Sequence, residues 1–352
     1  MSASSDSLMA AARTGDRAAL ARLLTLVESD SDLAIASRGR DPEPGAGCHV
    51  IGFTGSPGAG KSSLLDRLAG ELARSGGEPA CRAEAPCLGR RPAILSIDPT
   101  SPFTGGAVLG DRVRISEETL AAGVFVRSMA SRGSVGGLAR AVSSAVRVLA
   151  ICGCSPVMVE TVGAGQGEVA VAELADTVVV VLVPGMGDDI QMLKMGILEI
   201  ADVYAVNKSD LGGSAAFVEH LREAVSGPGA HGRDRHEAPG CGGWQPAIVA
   251  TSARTGEGVR ELAAAIESHR RYLAEGGRGP ALRRARAGRR ILRAMMERLS
   301  AEAECQGACR TGLRKLSAAV AAGKMSEWQA AGELLKLTAA DQGRSARRLK
   351  RV

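Results

Sequence analysis

The stretch that most constrains this chain is Gly-Ser-Pro-Gly-Ala-Gly-Lys-Ser at residues 55–62. Its spacing is G-x-x-x-x-G-K-[ST], in which the glycines let the backbone wrap closely around anionic oxygens. The apolar residues 50–54 before it predict a buried strand, and residues 62–68 after it predict a helix with its leucines on one face. A strand, a glycine loop and a helix in this order direct backbone amides and the positive helix end at phosphate. We therefore expect a P-loop that binds a nucleoside triphosphate.

The residue types of this loop predict separate roles within the site. Lys61 is expected to reach the β- and γ-phosphates, and the Ser62 hydroxyl is expected to bind Mg²⁺. The other predicted nucleotide contacts of the loop are Gly55, Ser56, Pro57, Gly58, Ala59, Gly60 and Ser63. The alternative, a glycine-rich turn that fits the spacing by chance, is disfavoured by the strand and helix that flank it.

A second motif, Asn207-Lys208-Ser-Asp210, has the N-K-x-D pattern and follows a predicted strand. The carboxylate of Asp210 can accept hydrogen bonds from the N1–H and the exocyclic amine of guanine. Adenine has an acceptor at N1 and no such amine, so it would leave the carboxylate unpaired. Ser252-Ala253, after the last predicted strand, is expected to contact guanine through its backbone. The nucleotide is thus predicted to be GTP or GDP.

Strands alternate with helices across residues 50–270, which predicts one doubly wound, mostly parallel α/β sheet. Every motif ends a strand, and ligands of such sheets bind at the carboxyl ends of the strands. One of these strands ends at Glu160, at the position of the carboxylate that orders Mg²⁺ in P-loop enzymes. We expect three regions: a helical segment and linker at 1–45, the P-loop GTPase domain at 46–275 and a helical extension at 276–352.

The composition of the chain disfavours several other classes of function. The eight cysteines include no C-x-x-C pair, which disfavours a zinc ribbon or a dithiol site, and Cys305 and Cys309 are interpreted as buried or idle thiols. Residues 75–92 are interpreted as a surface loop and residues 212–245 as a loop insertion. The histidines of the insertion, His231 and His236, are interpreted as solvated. Residues 276–352 hold 18 Lys and Arg against 6 Asp and Glu, but a single aromatic residue, which disfavours nucleic-acid binding. No apolar run is long enough for a membrane span, and no secretory signal is recognised, so we expect a cytoplasmic protein.

The chain resembles the MeaB/ArgK-type GTPases over about residues 8–275. The most specific strings are Asp-Pro-Thr-Ser-Pro-Phe-Thr-Gly-Gly-Ala at 98–107 and Glu-Thr-Val-Gly-Ala-Gly-Gln at 160–166. Proteins of this type are associated with adenosylcobalamin-dependent acyl-CoA mutases, chiefly methylmalonyl-CoA mutase. The resemblance implies a GTP-hydrolysing chaperone that gates adenosylcobalamin loading or protection of such a mutase, and a homodimer formed by the tail.

The resemblance also implies roles for particular residues. Asp98, Asp111 and Glu160 would surround Mg²⁺ together with Ser62. Switch I would lie at 98–111 and switch II at 163–168, and residues 183–194 resemble a third switch that communicates with the mutase. Asp98 and Gln166 are candidates for positioning the attacking water, and Lys61 would stabilise charge in catalysis.

Three other functions remain open at this stage. The first is a kinase that phosphorylates a binding protein of an amino-acid transport system, and guanine selectivity speaks against it. The second is a metal-insertion GTPase, which would need a cluster of metal ligands. The third is a basic scaffold without enzymatic activity.

Overall fold

The computed structural model describes residues 2–28, 48–75, 91–98, 115–130, 135–161, 171–185, 200–226, 243–304 and 308–349. The chain divides into two compact units, Met1–Arg286 and Ala287–Val352. None of the helices in these ranges is long and apolar enough to cross a membrane. The division into three regions, with dimerisation assigned to residues 276–352, stays a prediction.

The first unit is built on a parallel sheet of seven strands, ordered β3-β2-β4-β1-β5-β6-β7. The strands are β1 (Val50–Gly55), β2 (Ala93–Asp98), β3 (Phe125–Ala130), β4 (Val157–Thr161), β5 (Thr177–Leu182), β6 (Val203–Val206) and β7 (Ala247–Ala250). All of the neighbouring strands pair in parallel. The prediction of a doubly wound, mostly parallel α/β sheet is confirmed.

Strand β5 shows why these segments form interior strands. All of its residues are buried, and alternate valines enter different cores: Val178 and Val180 lie in one, Val179 and Val181 in the other. A period of two with apolar side chains on both faces is what a sheet covered on both faces requires. In β1, a Cβ at Gly52 would lie 2.4 Å from Cγ1 of Val171, so glycine permits the close packing there.

Helices flank the sheet in the first unit and make up the second. In chain order they are α1 (Ser2–Arg13), α2 (Arg17–Glu28), α3 (Lys61–Ser75), α4 (Glu117–Ala121), α5 (Val135–Ile151), α6 (Ser214–Ser226), α7 (Val259–Ala274), α8 (Arg278–Glu304), α9 (Ala308–Ala321) and α10 (Glu327–Leu349). Asp16 caps the start of α2, because its Oδ1 accepts from the amides of Ala18 (2.8 Å) and Ala19 (3.1 Å).

One stretch differs from its prediction. Residues 212–245 are predicted as a loop insertion, but α6 occupies Ser214–Ser226. Val218 and Leu221 are buried on one face of it, at a spacing of three residues. This short apolar stripe is obscured in the sequence by the Gly/His/Arg-rich residues that follow. The predicted loop histidines His231 and His236 lie outside the described residues, as do residues 76–90 of the predicted insertion at 75–92.

The second unit is helical, as predicted. Helix α10 begins with a capping box: the Gln329 amide donates to Ser326 Oγ at 3.2 Å, and the Ser326 amide donates to Gln329 Oε1 at 3.0 Å. Several large apolar side chains of α8 and α10 are exposed. They are Ile291, Leu292, Met295, Met296, Trp328, Leu335 and Leu337. Cys309 is buried, whereas Cys305 lies outside the described residues.

Candidate nucleotide-binding site

The glycine loop joins β1 to α3 at the carboxyl end of the sheet. Gly55, Gly58 and Gly60 have φ values of 143°, 77° and 83°, which L side chains rarely adopt. A Cβ at Gly55 would lie 2.2 Å from the carbonyl oxygen of Val181, and one at Gly60 would lie 2.5 Å from Asn207 Nδ2. Glycine is therefore required both by backbone conformation and by close approach to β5 and to the segment after β6.

Lys61 is the first residue of α3, and its side chain folds back over the loop. Its Nζ donates to the carbonyl oxygens of Gly55 at 2.8 Å and Ser56 at 2.9 Å, and only 6% of the residue is exposed. These charge-assisted bonds hold the ammonium group against the loop, among the groups predicted to surround the phosphates.

A buried carboxylate lies next to the start of α3. Ser62 Oγ donates to Glu160 Oε1 at 2.6 Å, and Ser96 Oγ donates to Oε2 at 3.4 Å. The sheet register explains the arrangement, because Glu160 of β4 is level with Phe53 of β1 and with Ser96 of β2. Oxygen donors of this kind suit Mg²⁺.

The other predicted metal and water-positioning residues are only partly described. Asp98 is the last residue of β2 and therefore lies at the carboxyl end of the sheet, as Glu160 does. Its side chain is outside the described part of the structure. Asp111 and Gln166 lie outside the described residues, as do most of the three predicted switches. Within the described ranges, no three His, Cys, Asp or Glu residues gather as a metal site.

Asn207 connects the two predicted halves of the site. Its Nδ2 donates to the carbonyl oxygen of Ala59 at 2.8 Å, and its Oδ1 accepts from the amide of Ala253 at 3.1 Å. The residue is 1% exposed. One amide side chain thus fixes the glycine loop against the segment that follows β7.

The carboxylate predicted to read guanine is held by two neighbours. Asp210 lies in a one-turn 3₁₀ helix, Ser209–Leu211, directly after Lys208, which has left-handed φ and ψ of 60° and 35°. Its Oδ1 accepts from Ser252 Oγ at 2.6 Å, and its Oδ2 accepts from Arg254 Nε at 2.9 Å. The Ser252 hydroxyl, with Arg254 as a further cause, holds the pKa of Asp210 below its usual value. Asp210 is therefore ionised at neutral pH.

Two arginines of this region, Arg67 and Arg254, belong to no sequence motif, and their contacts were not predicted from the sequence. Arg254 pairs with Asp210, as described above. Arg67 of α3 donates from Nε to the Ala253 carbonyl at 3.2 Å and from Nη2 to the Arg254 carbonyl at 3.4 Å. The one sequence signal for Arg254 is its place directly after Ser252-Ala253, a predicted base contact.

The parallel sheet, the glycine loop between β1 and α3 and the N-K-x-D segment after β6 define a P-loop GTPase. A sequence profile of the family described as Methylmalonyl Co-A mutase-associated GTPase MeaB matches residues 20–308. The chain belongs to this family, which confirms the resemblance drawn from its motifs.

Individual relatives agree with this assignment. A Pyrococcus horikoshii protein whose name describes it as a GTPase is 42% identical over 281 residues, covering 80% of this chain and 82% of that protein. GTPase ArgK of Escherichia coli is 33% identical over 272 residues, covering 76% of each chain. The crystal structure of a protein named LAO/AO transport system kinase superposes with a TM-score of 0.69 at 25% identity, covering 96% of this chain and 98% of that one.

Proposed function

We propose that this chain binds guanine nucleotide with Mg²⁺ and hydrolyses GTP. The observation that carries the proposal is Asn207, whose amide joins Ala59 of the phosphate loop to Ala253 of the predicted base-binding segment. This connection brings a phosphate cradle and an ionised carboxylate, Asp210, into one site. A diphosphate with a guanine base has the donors and the charge that such a site complements.

Mg²⁺ would be held by Ser62, Glu160, Asp98 and Asp111, directly or through water. The Ser62 and Glu160 oxygens lie 2.6 Å apart and are hard donors, so this part of the site fits the metal. The metal, when bound, neutralises charge on the β- and γ-phosphates. In the free protein, the hydrogen bond from Ser62 keeps the buried Glu160 carboxylate paired.

The chain's own residues would then position the reactants. Lys61 supplies a cation beside the loop, whose amides bind phosphate oxygens and stabilise the charge of the transition state. A water attacks the γ-phosphorus, and the bond to the β-γ bridging oxygen breaks, leaving GDP and phosphate. Asp98 and Gln166 are the proposed residues for orienting that water.

The proposed output of GTP hydrolysis is control of a mutase. The matching family is described as associated with methylmalonyl-CoA mutase, and this description supports such a partner. We assign to the chain a chaperone role in which the bound nucleotide gates adenosylcobalamin loading or protection of an acyl-CoA mutase. Nucleotide-dependent ordering of the switch segments is the general mechanism by which such a signal is transmitted.

A homodimer formed through residues 276–352 belongs to the same proposal. The exposed Ile291, Leu292, Met295 and Met296 lie on consecutive turns of α8, and an apolar patch on a helix face is typical of an interaction site. Sedimentation of the intact chain tests it: a monomer at micromolar concentration contradicts the dimer without affecting the GTPase proposal.

The experiment for the main proposal measures phosphate release from GTP by the wild type and by Lys61→Ala. We expect slow release by the wild type and its loss in the variant. Binding of purified methylmalonyl-CoA mutase is then compared in the presence of GDP and of a non-hydrolysable GTP analogue. Equal mutase affinity and equal adenosylcobalamin transfer in both states would contradict the chaperone role.

The structural relative named as a transport system kinase supports testing one second function, protein phosphorylation. A kinase would transfer the γ-phosphate of ATP to a protein and would use ATP at least as well as GTP. We expect no such transfer, because the N1 acceptor of adenine would face the Asp210 carboxylate and give it no hydrogen bond.

A further inference from the structure

The carboxylate of Asp210 is closed on one side by an arginine outside the N-K-x-D motif. Nε and Nη2 of Arg254 each lie 2.9 Å from Asp210 Oδ2. The Arg254 side chain is 75% exposed, whereas that of Asp210 is 12% exposed. An exposed guanidinium thus covers the more protected carboxylate.

The acceptor positions of Asp210 can be counted. A carboxylate has about four lone-pair positions, two on each oxygen. Ser252 Oγ occupies one position on Oδ1 at 2.6 Å, whereas Oδ2 accepts from Arg254 Nε and is also covered by Nη2 of the same guanidinium, each at 2.9 Å. The Ser252 hydroxyl is itself fixed, since its oxygen accepts from the Thr255 amide at 3.2 Å. A base can therefore reach the second position on Oδ1 directly, but it reaches Oδ2 only when the guanidinium moves aside.

Guanine and hypoxanthine differ in the number of donors that they present to this carboxylate. Guanine presents N1–H and an exocyclic amine, whereas hypoxanthine presents N1–H alone. Hypoxanthine is satisfied by the accessible position on Oδ1, but guanine also needs Oδ2, which the Arg254 guanidinium covers.

We infer that Arg254 competes with the exocyclic amine of guanine for Asp210 and so sets the preference of the site for guanine over hypoxanthine. The inference rests on the proposed binding of guanine nucleotide. Arg254 is a specificity-determining residue in this sense, and it takes no part in the reaction at the phosphates.

The local structure allows the Arg254 side chain to move without its backbone. Arg67 holds the carbonyl oxygens of Ala253 and Arg254, at 3.2 Å and 3.4 Å, and so fixes the main chain. The guanidinium faces solvent, where an ion pair contributes little and is readily exchanged. Guanine binding therefore requires release of one Arg254 N–H and no rearrangement of the segment.

The test compares GDP and IDP binding to the full chain by calorimetry. Arg254→Ala is expected to bind GDP roughly two- to fivefold more tightly, as loss of an exposed ion pair allows, with IDP affinity unchanged. Arg254→Lys keeps the charge but offers one nitrogen, so its GDP-to-IDP ratio should approach that of the alanine variant. Arg260→Ala is the matched control, because Arg260 is 83% exposed and pairs with Glu71 at 2.9 Å.

Several results would overturn the inference. They are an unchanged GDP-to-IDP ratio in Arg254→Ala, weaker GDP binding by that variant, and an Arg254→Lys ratio equal to that of the wild type. The last would assign the effect to charge instead of donor number. Wild-type protein that binds neither nucleotide would refute guanine binding itself, whereas GDP binding with unchanged ratios refutes only the competition. Equal urea midpoints for all variants confirm that folding is unaffected.

Discussion

The side-chain amide of Asn207 donates to the backbone carbonyl of Ala59 at 2.8 Å, across 148 positions of sequence. The bond runs from the end of β6 to the phosphate loop after β1, and both groups are buried. The phosphate loop therefore depends for its shape on a residue of the predicted base-binding motif. Binding at one end of the site should consequently be sensitive to changes at the other.

Replacing Asn207 by alanine should weaken GDP binding by tenfold or more. The change leaves the Ala59 carbonyl and the Ala253 amide without this partner, at a cost of about 1–3 kcal/mol for each buried group. Calorimetry of GDP binding measures the loss. Asn207→Asp keeps the oxygen that accepts from Ala253 but sets a negative charge against the Ala59 carbonyl, so it should also bind poorly. Wild-type affinity in the aspartate variant would contradict a role for the Ala59 bond.

Glu160→Gln should raise the Mg²⁺ concentration that gives half-maximal GTP hydrolysis, on the order of tenfold or more. Glutamine can still accept from Ser62 and has nearly the same volume, so folding is retained while the charge that attracts the metal is lost. Phosphate release is measured across a magnesium titration. Ser96→Ala is the control, because it removes only the 3.4 Å hydrogen bond to Glu160 and should shift the midpoint much less. An unchanged midpoint in Glu160→Gln would exclude this carboxylate from the metal site.

Asp66→Ala should destabilise the protein by about 1–3 kcal/mol, the cost of leaving the partly buried donors of Ser116 without their acceptor. Asp66 Oδ1 accepts from the amide and hydroxyl of Ser116 at 3.1 Å and 3.2 Å, and thereby fastens the start of α4 to α3. Urea unfolding with the midpoint read by circular dichroism measures the loss. Asp66→Asn keeps an oxygen that can accept from Ser116 and should cost less than Asp66→Ala. An equal loss in the two variants would contradict the anchor.

The strands and motifs that a short local sequence pattern defines could be predicted from the sequence. The strand before Gly55 and the strand ending at Val206 follow from short apolar runs bounded by turn residues, and each places its motif at the carboxyl edge of the sheet. The contacts of Arg67 and Arg254 could not be predicted in this way, because they join segments that are brought together only by the order of the strands. Helix α6 was missed for a related reason: its buried face has few apolar residues, and their burial depends on packing against the sheet.

At the amino ends of the strands, a buried histidine predicts how the stability of the protein depends on pH. His49 precedes β1, and its Nε2 lies 2.8 Å from Thr177 Oγ1. Burial lowers the pKa of His49 from its ordinary 6.5, and Arg270 acts in the same direction. The carboxylates of Asp176, Asp202 and Glu267 oppose the shift without cancelling it.

Because His49 binds a proton more readily in the unfolded chain than in the folded one, its contribution to stability is complete above pH 6.5 and is lost as the pH falls below it. The slope is at most about 1.4 kcal/mol per pH unit from this group. Urea unfolding at pH 7.5 and pH 5.5 should show the loss in the wild type. His49→Gln can still pair with Thr177 but has no charge to gain, so its loss over the same interval should be smaller. Equal losses in both proteins would assign the acid sensitivity to other groups.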